Sequence, residues 1–223
     1  MRWPFTAYAR RELALSVVVL GGATALLAWQ FVWAAPVPAL LLVFVLCFFR
    51  DPERRVPGGE GQVVSPADGR VVDLEEVAEN EFLGEQAVCV GIFMSVFDVH
   101  VNRAPLGGKV VYRSRRAGKF HDARTLAARR ENASASLGLE SGGGTRLLVR
   151  QVAGLVARRI VCACAEGDEL AKGQRFGMVK FGSRLEVYVP VSAGFRPLVG
   201  VGDRVRAGST VLGQVEGREG GEG

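Results

Sequence analysis

The hydrophobic pattern divides the 223-residue chain into two regimes. From Leu13 to Trp33 no charged residue interrupts LALSVVVLGGATALLAWQFVW, and about 20 apolar residues suffice to span a hydrocarbon core of about 30 Å. A second apolar run, PVPALLLVFVLCFF from Pro36 to Phe49, follows almost at once. As a helix it would rise only about 21 Å, which suits a tilted or re-entrant segment. The pattern therefore predicts an N-terminal membrane helix or helical hairpin. A cleaved signal peptide ending near VWAAP fits less well, because apolar sequence continues directly beyond it. Arg10 and Arg11 precede the first run, and Arg50, Arg54 and Arg55 follow the second. The positive-inside tendency then predicts a cell-membrane protein with both hairpin ends, and the domain that follows, on the cytoplasmic side.

From Gly58 onward the period shortens to β-branched runs separated by glycine: GQVVSPADGRVVDLEEV, QAVCVGIFMSV, GGKVVYR, TRLLVRQVAGLVARRIVCAC, SRLEVYVPV and STVLGQVEG. These read as strands and turns. The exception is DARTLAARRENASASLGL, which suits a helical turn or a surface loop. A weak internal repeat relates EGDELAKGQRFG at Glu166 to VGDRVRAGSTVL at Val201, with Gly167, Asp168 and Gly173 recurring as Gly202, Asp203 and Gly208. Each copy has the glycine and aspartate of a tight turn between strands. These segments resemble the half-motifs of the barrel-sandwich fold of lipoyl and biotinyl carriers. The expectation is a mainly β, barrel-sandwich-like domain with minor helix over residues 58–223, preceded by a membrane anchor and basic juxtamembrane segment over residues 1–57. The C-terminal GREGGEG is expected to be disordered.

Charge and cysteines narrow the function. The formal charge of +5 suits nucleic acid, anionic lipid or mere solubility, and composition does not choose among them. Neither an aromatic-rich RNA-binding motif nor a zinc-finger spacing accompanies it, so no nucleic-acid partner is expected. Cys47, Cys89, Cys162 and Cys164 form no C-x-x-C pair and read as free thiols, with Cys162 and Cys164 on one face of a strand. No ligand set for a metal stands out.

Four segments carry candidate chemistry: FFRDPERRVP at Phe48–Pro57, SPADGRV at Ser65–Val71, FMSVFDVHVNRAPLGGKV at Phe93–Val110 and GQRFGMVKFGSRLEVYVP at Gly173–Pro190. In order and spacing they resemble the short branch of the phosphatidylserine decarboxylase family, and the resemblance runs from Phe48 to about Gly213. It implies a pyruvoyl-dependent enzyme that converts phosphatidylserine to phosphatidylethanolamine and carbon dioxide. It also implies self-cleavage between Gly182 and Ser183 into a 1–182 chain and a 183–223 chain, which remain together as a heterodimer; a higher oligomer stays open. Ser183 is then the precursor of the covalent pyruvoyl group, whose ketone can form a Schiff base with the serine headgroup amine. Glycine before the serine leaves the scissile carbonyl uncrowded, and the hydroxyl can attack it in an N-to-O acyl shift.

By the same resemblance Asp68 corresponds to the family aspartate involved in self-cleavage, acting on a base near Ser183. His100 is one of two histidines and is suited to proton transfer. The longer branch of the family has a second histidine three residues after it, where this chain has Arg103. Arg103 is a candidate for holding the substrate carboxylate or phosphate. Phe97, with Phe93, Met94 and Val96, suits either a wall for acyl chains or core. Arg113, Arg115 and Arg116 suit anionic headgroups or a solvated face, and His121 matches no family histidine. Three other readings remain: a membrane-tethered carrier modified at Lys180, a non-catalytic scaffold, and a decarboxylase of another serine-headgroup lipid.

Overall fold

A computed structural model describes residues 4–155, 159–180 and 182–216, with the backbone alone for residue 126. The glycine-rich tail from residue 217 lies outside the described residues. The chain divides into two compact units, Met1–Glu53 and Arg54–Gly223.

The first unit is a helical hairpin. Helix α1 (Arg10–Gln30) extends a short 3-10 turn, and the continuous Ala7–Gln30 segment is long and apolar enough to cross a membrane. The chain then turns through Val32–Ala34 into α2 (Pro36–Phe48), whose first residue is a proline that needs no intrahelical hydrogen bond there. The two ends meet: Thr6 N donates to Phe49 O at 3.0 Å and Asp51 N to Pro4 O at 2.8 Å. Trp29 and Trp33 stand exposed at the opposite end, a placement that suits the headgroup level of a bilayer.

The second unit is mainly β. Its strands are β1 (Gln62–Val64), β2 (Gly69–Glu79), β3 (Glu85–Met94), β4 (Val101–Arg103), β5 (Gly108–Arg116), β6 (Ser134–Glu140) and β7 (Arg146–Val152). There follow β8 (Ile160–Cys162), β9 (Glu169–Leu170), β10 (Arg175–Val179), β11 (Ser183–Pro190), β12 (Arg196–Pro197), β13 (Arg204–Val205) and β14 (Val211–Gln214). One sheet has the order β13-β2-β3-β11-β7-β6-β5-β9, curled as a half-barrel, with the small sheets β1-β14-β12 and β4-β10-β8 beside it. Every pairing between these strands is antiparallel. The segment expected to be a helical turn or loop is split. Only Leu126–Glu131 is helical (α3, N-capped by Thr125), and Ser134–Glu140 is the largely buried strand β6. Its small alternating side chains hid a strand that is covered on both faces.

The internal repeat has a structural basis. Gly167 and Gly202 have φ of +94° and +100°, and Gly173 and Gly208 have +76° and +70°. Asp168 accepts from Ala165 N and Asp203 from Gly200 N, both at 2.8 Å. A second pair of segments belongs to the same repeat: SPADGRVV from Ser65 and APLGGKVV from Ala104. Gly208 N donates to Ser65 O and Gly173 N to Ala104 O, at 2.7 and 2.8 Å. The copies interlock, since Val64 N donates to Pro105 O and Arg103 N to Pro66 O, both at 2.9 Å. Two copies of one half-motif thus build the core, as a barrel-sandwich arrangement requires.

Strand β11 occupies the middle of the large sheet and alternates strictly. Leu185, Val187 and Val189 face inward against Ile92, Val90, Val149 and Leu147 in the main apolar core. Arg184, Glu186 and Tyr188 face outward and are nevertheless buried. Glu186 accepts from Arg184 Nε at 2.8 Å and Tyr188 Oη at 2.5 Å, while Arg129 Nε lies 3.3 Å away. Arg184 also pairs with Asp73, Arg129 with Glu75, and Arg150 with Glu81 at 2.6 Å. Burial beside Glu186 pushes the Cys89 thiol up to about 12. Cys162 and Cys164 lie side by side, sulfurs 3.6 Å apart, both reduced and buried as the alternation predicts.

Removing one member of such a network leaves a buried charge without its counterpart, which costs about 3–5 kcal/mol. Glu186→Ala is expected to lower the thermal midpoint in detergent by roughly 10 °C for a domain of this size, and a change within a degree or two would show that the network adds nothing.

Candidate active site

Ser183 opens β11 directly after Gly182, whose φ of +58° lies in the left-handed region that only glycine adopts without strain. Open space surrounds the position where a Gly182 side chain would project, so the requirement there is conformational and not steric. Ser183 itself is fully buried, and among the described residues its hydroxyl has no hydrogen-bond partner. An unsatisfied buried hydroxyl is costly and calls for a reason, of which a chemical role is one.

Register shows what surrounds it. Ser183 pairs with Met94 on β3, and in the next row Arg184 pairs with Phe93, which pairs in turn with Arg70 on β2. Gly69 therefore stands level with Ser183 two strands away, about 10 Å between backbones at ordinary strand spacing. Gly69 is pressed onto β3, since a Cβ there would fall 2.1 Å from Phe93 O. Asp68 comes immediately before it, beyond the strand end. Its Oδ2 accepts from Arg54 at 2.6 Å and its Oδ1 from Ala207 N at 2.9 Å. Burial raises the Asp68 pKa above its ordinary 3.8 and outweighs the lowering by these two donors; the Asp98 carboxylate adds a smaller upward push.

Asp98 belongs to the loop between β3 and β4, where it accepts from Ser95 N at 2.8 Å and Ser95 Oγ at 2.7 Å. His100 Nδ1 is 2.9 Å from Asp98 O. A carbonyl can only accept, so Nδ1 carries the proton and Nε2 is the basic nitrogen. His100 is fully buried and directly precedes β4, whose Val101 pairs with Met178 on the strand that leads toward Gly182. Asn102, two residues on, reaches Met94 Sδ at 3.8 Å and accepts from Gln151 Nε2 at 2.7 Å. Asn102, Gln151 and Met94 thus cap the apolar core on the inner face where Ser183 lies.

Other sequence candidates are placed differently. Arg103 is buried, with Nη1 donating to Gly173 O at 3.1 Å and its Cδ close to Gly208. Phe97 is 74% exposed in the β3–β4 loop, not in the core. His121 lies at the surface 3.2 Å from Glu131. Arg113 and Arg116 spend donors on backbone carbonyls of Cys162, Arg129 and Asn132. Phe181, beside Gly182, is outside the described residues. Sequence reasoning passed over Asn102, Gln151 and the pairing of Arg54 with Asp68. Asn102 had a signal, the two-residue spacing from His100 within VHVN; the choice of Arg54 among the neighbouring arginines had none.

The matching sequence extends well beyond this site. The family model described as phosphatidylserine decarboxylase matches residues 41–213. The chain is 52% identical over 215 residues to a phosphatidylserine decarboxylase proenzyme of Symbiobacterium thermophilum, covering 96% of this chain and 93% of that protein. It is 45% identical over 213 residues to a proenzyme of the same description from Aromatoleum aromaticum, covering 96% and 93%. A third, from Geotalea uraniireducens, is 46% identical over 211 residues, covering 95% and 93%. The chain belongs to the phosphatidylserine decarboxylase family. The resemblance read from the four motifs is thereby confirmed.

The raised Asp68 pKa has a signed consequence for stability. Below pH 3.8 the group is protonated folded or unfolded, and its contribution is fully present. As pH rises from 3.8 through the higher folded value, the unfolded chain ionises first and that contribution is lost. Asp68→Asn is expected to flatten this part of the curve of thermal midpoint against pH, with the uncleaved Ser183→Ala chain as background; an unchanged slope would show that Asp68 is not the group responsible.

Proposed function

We propose that this chain decarboxylates phosphatidylserine at a pyruvoyl group that it makes from Ser183 by cutting its own backbone after Gly182. The observation that carries the reading is the buried Ser183 hydroxyl, without a hydrogen-bond partner among the described residues, next to a glycine held at φ +58°. The curated relatives are described as proenzymes, which supports a cut into two chains.

The chemistry follows from the chain's own groups. Ser183 Oγ attacks the Gly182 carbonyl carbon; the C–N bond breaks as the C–O bond forms, giving an ester and a free amine. His100 Nε2 is the acceptor for the hydroxyl proton and can return it to the departing amine. Asp68, whose pKa is set by burial, Arg54 and Ala207 N–H, tunes that base electrostatically. Loss of the residue 183 α-proton then expels the Gly182 carboxylate, leaving dehydroalanine. Tautomerisation and addition of water release ammonia and leave a ketone at the new N-terminus. That pyruvoyl group supplies an electrophilic carbonyl and an electron sink for decarboxylation. Arg103 holds the substrate carboxylate or phosphate through its planar donors, and Phe97 offers an apolar contact to the lipid.

The products of the cut are residues 1–182 and 183–223, with 1–57 as anchor and basic juxtamembrane segment and 58–223 as the catalytic domain. The arginines flanking the hairpin support a cytoplasmic location for that domain.

Intact-mass measurement is the direct test. Wild type is expected to yield a fragment starting at residue 183 with a ketone in place of the amine, while Ser183→Ala stays whole and Asp68→Asn and His100→Ala are cut at least tenfold more slowly. A folded wild-type chain that stays whole would remove the cofactor and with it the reading. Phe97→Ser is expected to leave cutting unchanged and to raise KM for long-chain phosphatidylserine roughly tenfold, the value of about 1.5 kcal/mol of lost apolar contact. An unchanged KM would take Phe97 out of the lipid site.

A further inference from the structure

We infer that Gly154 is a positioning residue for the cut, because its bare Cα is the surface against which the Gly182 carbonyl oxygen rests. A Cβ built on Gly154 would fall 1.8 Å from Gly182 O, 3.0 Å from Gly182 C and 3.4 Å from the Ala123 side chain. The first distance is far inside van der Waals contact and involves backbone, which cannot rotate away as a side chain tip can. Gly154 and Gly182 are therefore glycines for different reasons. Gly182 needs positive φ and has room around it, whereas Gly154 has no such φ and has no room. The inference rests on the cut falling between Gly182 and Ser183.

The surface is held in place from behind. Arg184 pairs with Val152, so the chain beyond β7 runs alongside the approach to β11. Ala153 N donates to Ala133 O at 2.9 Å, and the fully buried Asn132 donates from Nδ2 to Ala153 O at 2.8 Å and His121 O at 2.9 Å. Asn132 Oδ1 accepts from His121 N at 2.8 Å. One amide side chain thus pins both the 121 loop and the residue before Gly154. An acyl shift needs the carbonyl carbon presented to the attacking oxygen in one orientation, and an error of about 1 Å can cost on the order of a hundredfold in rate. Fixing the carbonyl oxygen against Gly154 removes its freedom to swing before attack.

Gly154→Ala tests this in the full-length chain in detergent, with Gly142→Ala as control, since nothing lies within 4 Å of a Cβ at Gly142. Cutting is followed by intact mass, and hydroxylamine is added to cleave any ester formed between residues 182 and 183. The expected result is a folded chain, with a thermal midpoint close to that of Ser183→Ala, that is cut about a hundredfold more slowly and yields no hydroxylamine-dependent fragment. A variant merely impaired in later steps would accumulate the ester and be cut by hydroxylamine, which overturns the inference, as does cutting at the wild-type rate. If Gly154→Ala does not fold, Asn132→Ser carries the test, because it loosens the pinned segment without adding a methyl. Slower cutting of the folded chain supports the inference, and an unchanged rate overturns it. A wild-type chain that makes no fragment beginning at residue 183 would sink the proposed cut itself, which is a separate outcome.

Discussion

Two backbone hydrogen bonds, Val64 N to Pro105 O and Arg103 N to Pro66 O, lock the two copies of the half-motif into each other. Each copy supplies the acceptor that the other needs, so neither can satisfy its backbone alone. Their approximate symmetry carries through to the sheet, where β2 with β13 and β5 with β9 occupy opposite ends. Symmetry fails at one telling position. Asp68 corresponds to Gly107, and Ala207, whose N–H binds Asp68 Oδ1, corresponds to Lys172. A Cβ at Gly107 would lie 3.3 Å from Lys172 N. One half carries a carboxylate at this turn and the other only backbone, so the carboxylate is not something the fold demands of its turns.

The buried ion network on the outer face of β11 bears on the site through register. Because side chains alternate, a slip of one residue would exchange Ser183 for Arg184 on the inner face and place Glu186 in the apolar core. Arg184, Glu186 and Tyr188 find partners only in the observed register, with Asp73, Arg129 and Arg150 contributed by three other elements. A network of this kind adds little net stability over well-packed apolar residues. Its value here is that the alternative register would strand several charges, which keeps Ser183 beside Met94.

Much of this was legible in the sequence because it depended on local chemistry. Unbroken apolar runs gave the helices, β-branched runs between glycines gave most strands, and Gly-Asp-x-x-x-x-Gly gave the paired turns. The motifs around Asp68, His100 and Ser183 pointed to the family. The related pair SPADGRVV and APLGGKVV went unnoticed, although a proline, a glycine and two valines recur at the same spacing. Strand β6 was missed because Ser134, Ala135 and Ser136 carry no propensity signal, and tertiary burial decided their conformation. Gly154 and Asn132 could not be read at all: their importance lies in contacts with residues far away along the chain, and no local pattern encodes a carbonyl resting on a glycine.

The position of β11 also explains how a chain could be cut in the middle of its fold and remain one molecule. Residues 183–190 pair along their whole length with residues 87–94 of β3, and residues 184–188 pair with β7 on the other side. The segment beyond β11 returns to β2 through β13 and to β1 through β14. Breaking one peptide bond before Ser183 severs none of these ladders, and the apolar side chains of Leu185, Val187 and Val189 stay in the common core. The proposed cut would free one strand end beside Met94 while the ladders that place it persist, so the fold that holds Ser183 before the cut would also hold the resulting N-terminus after it.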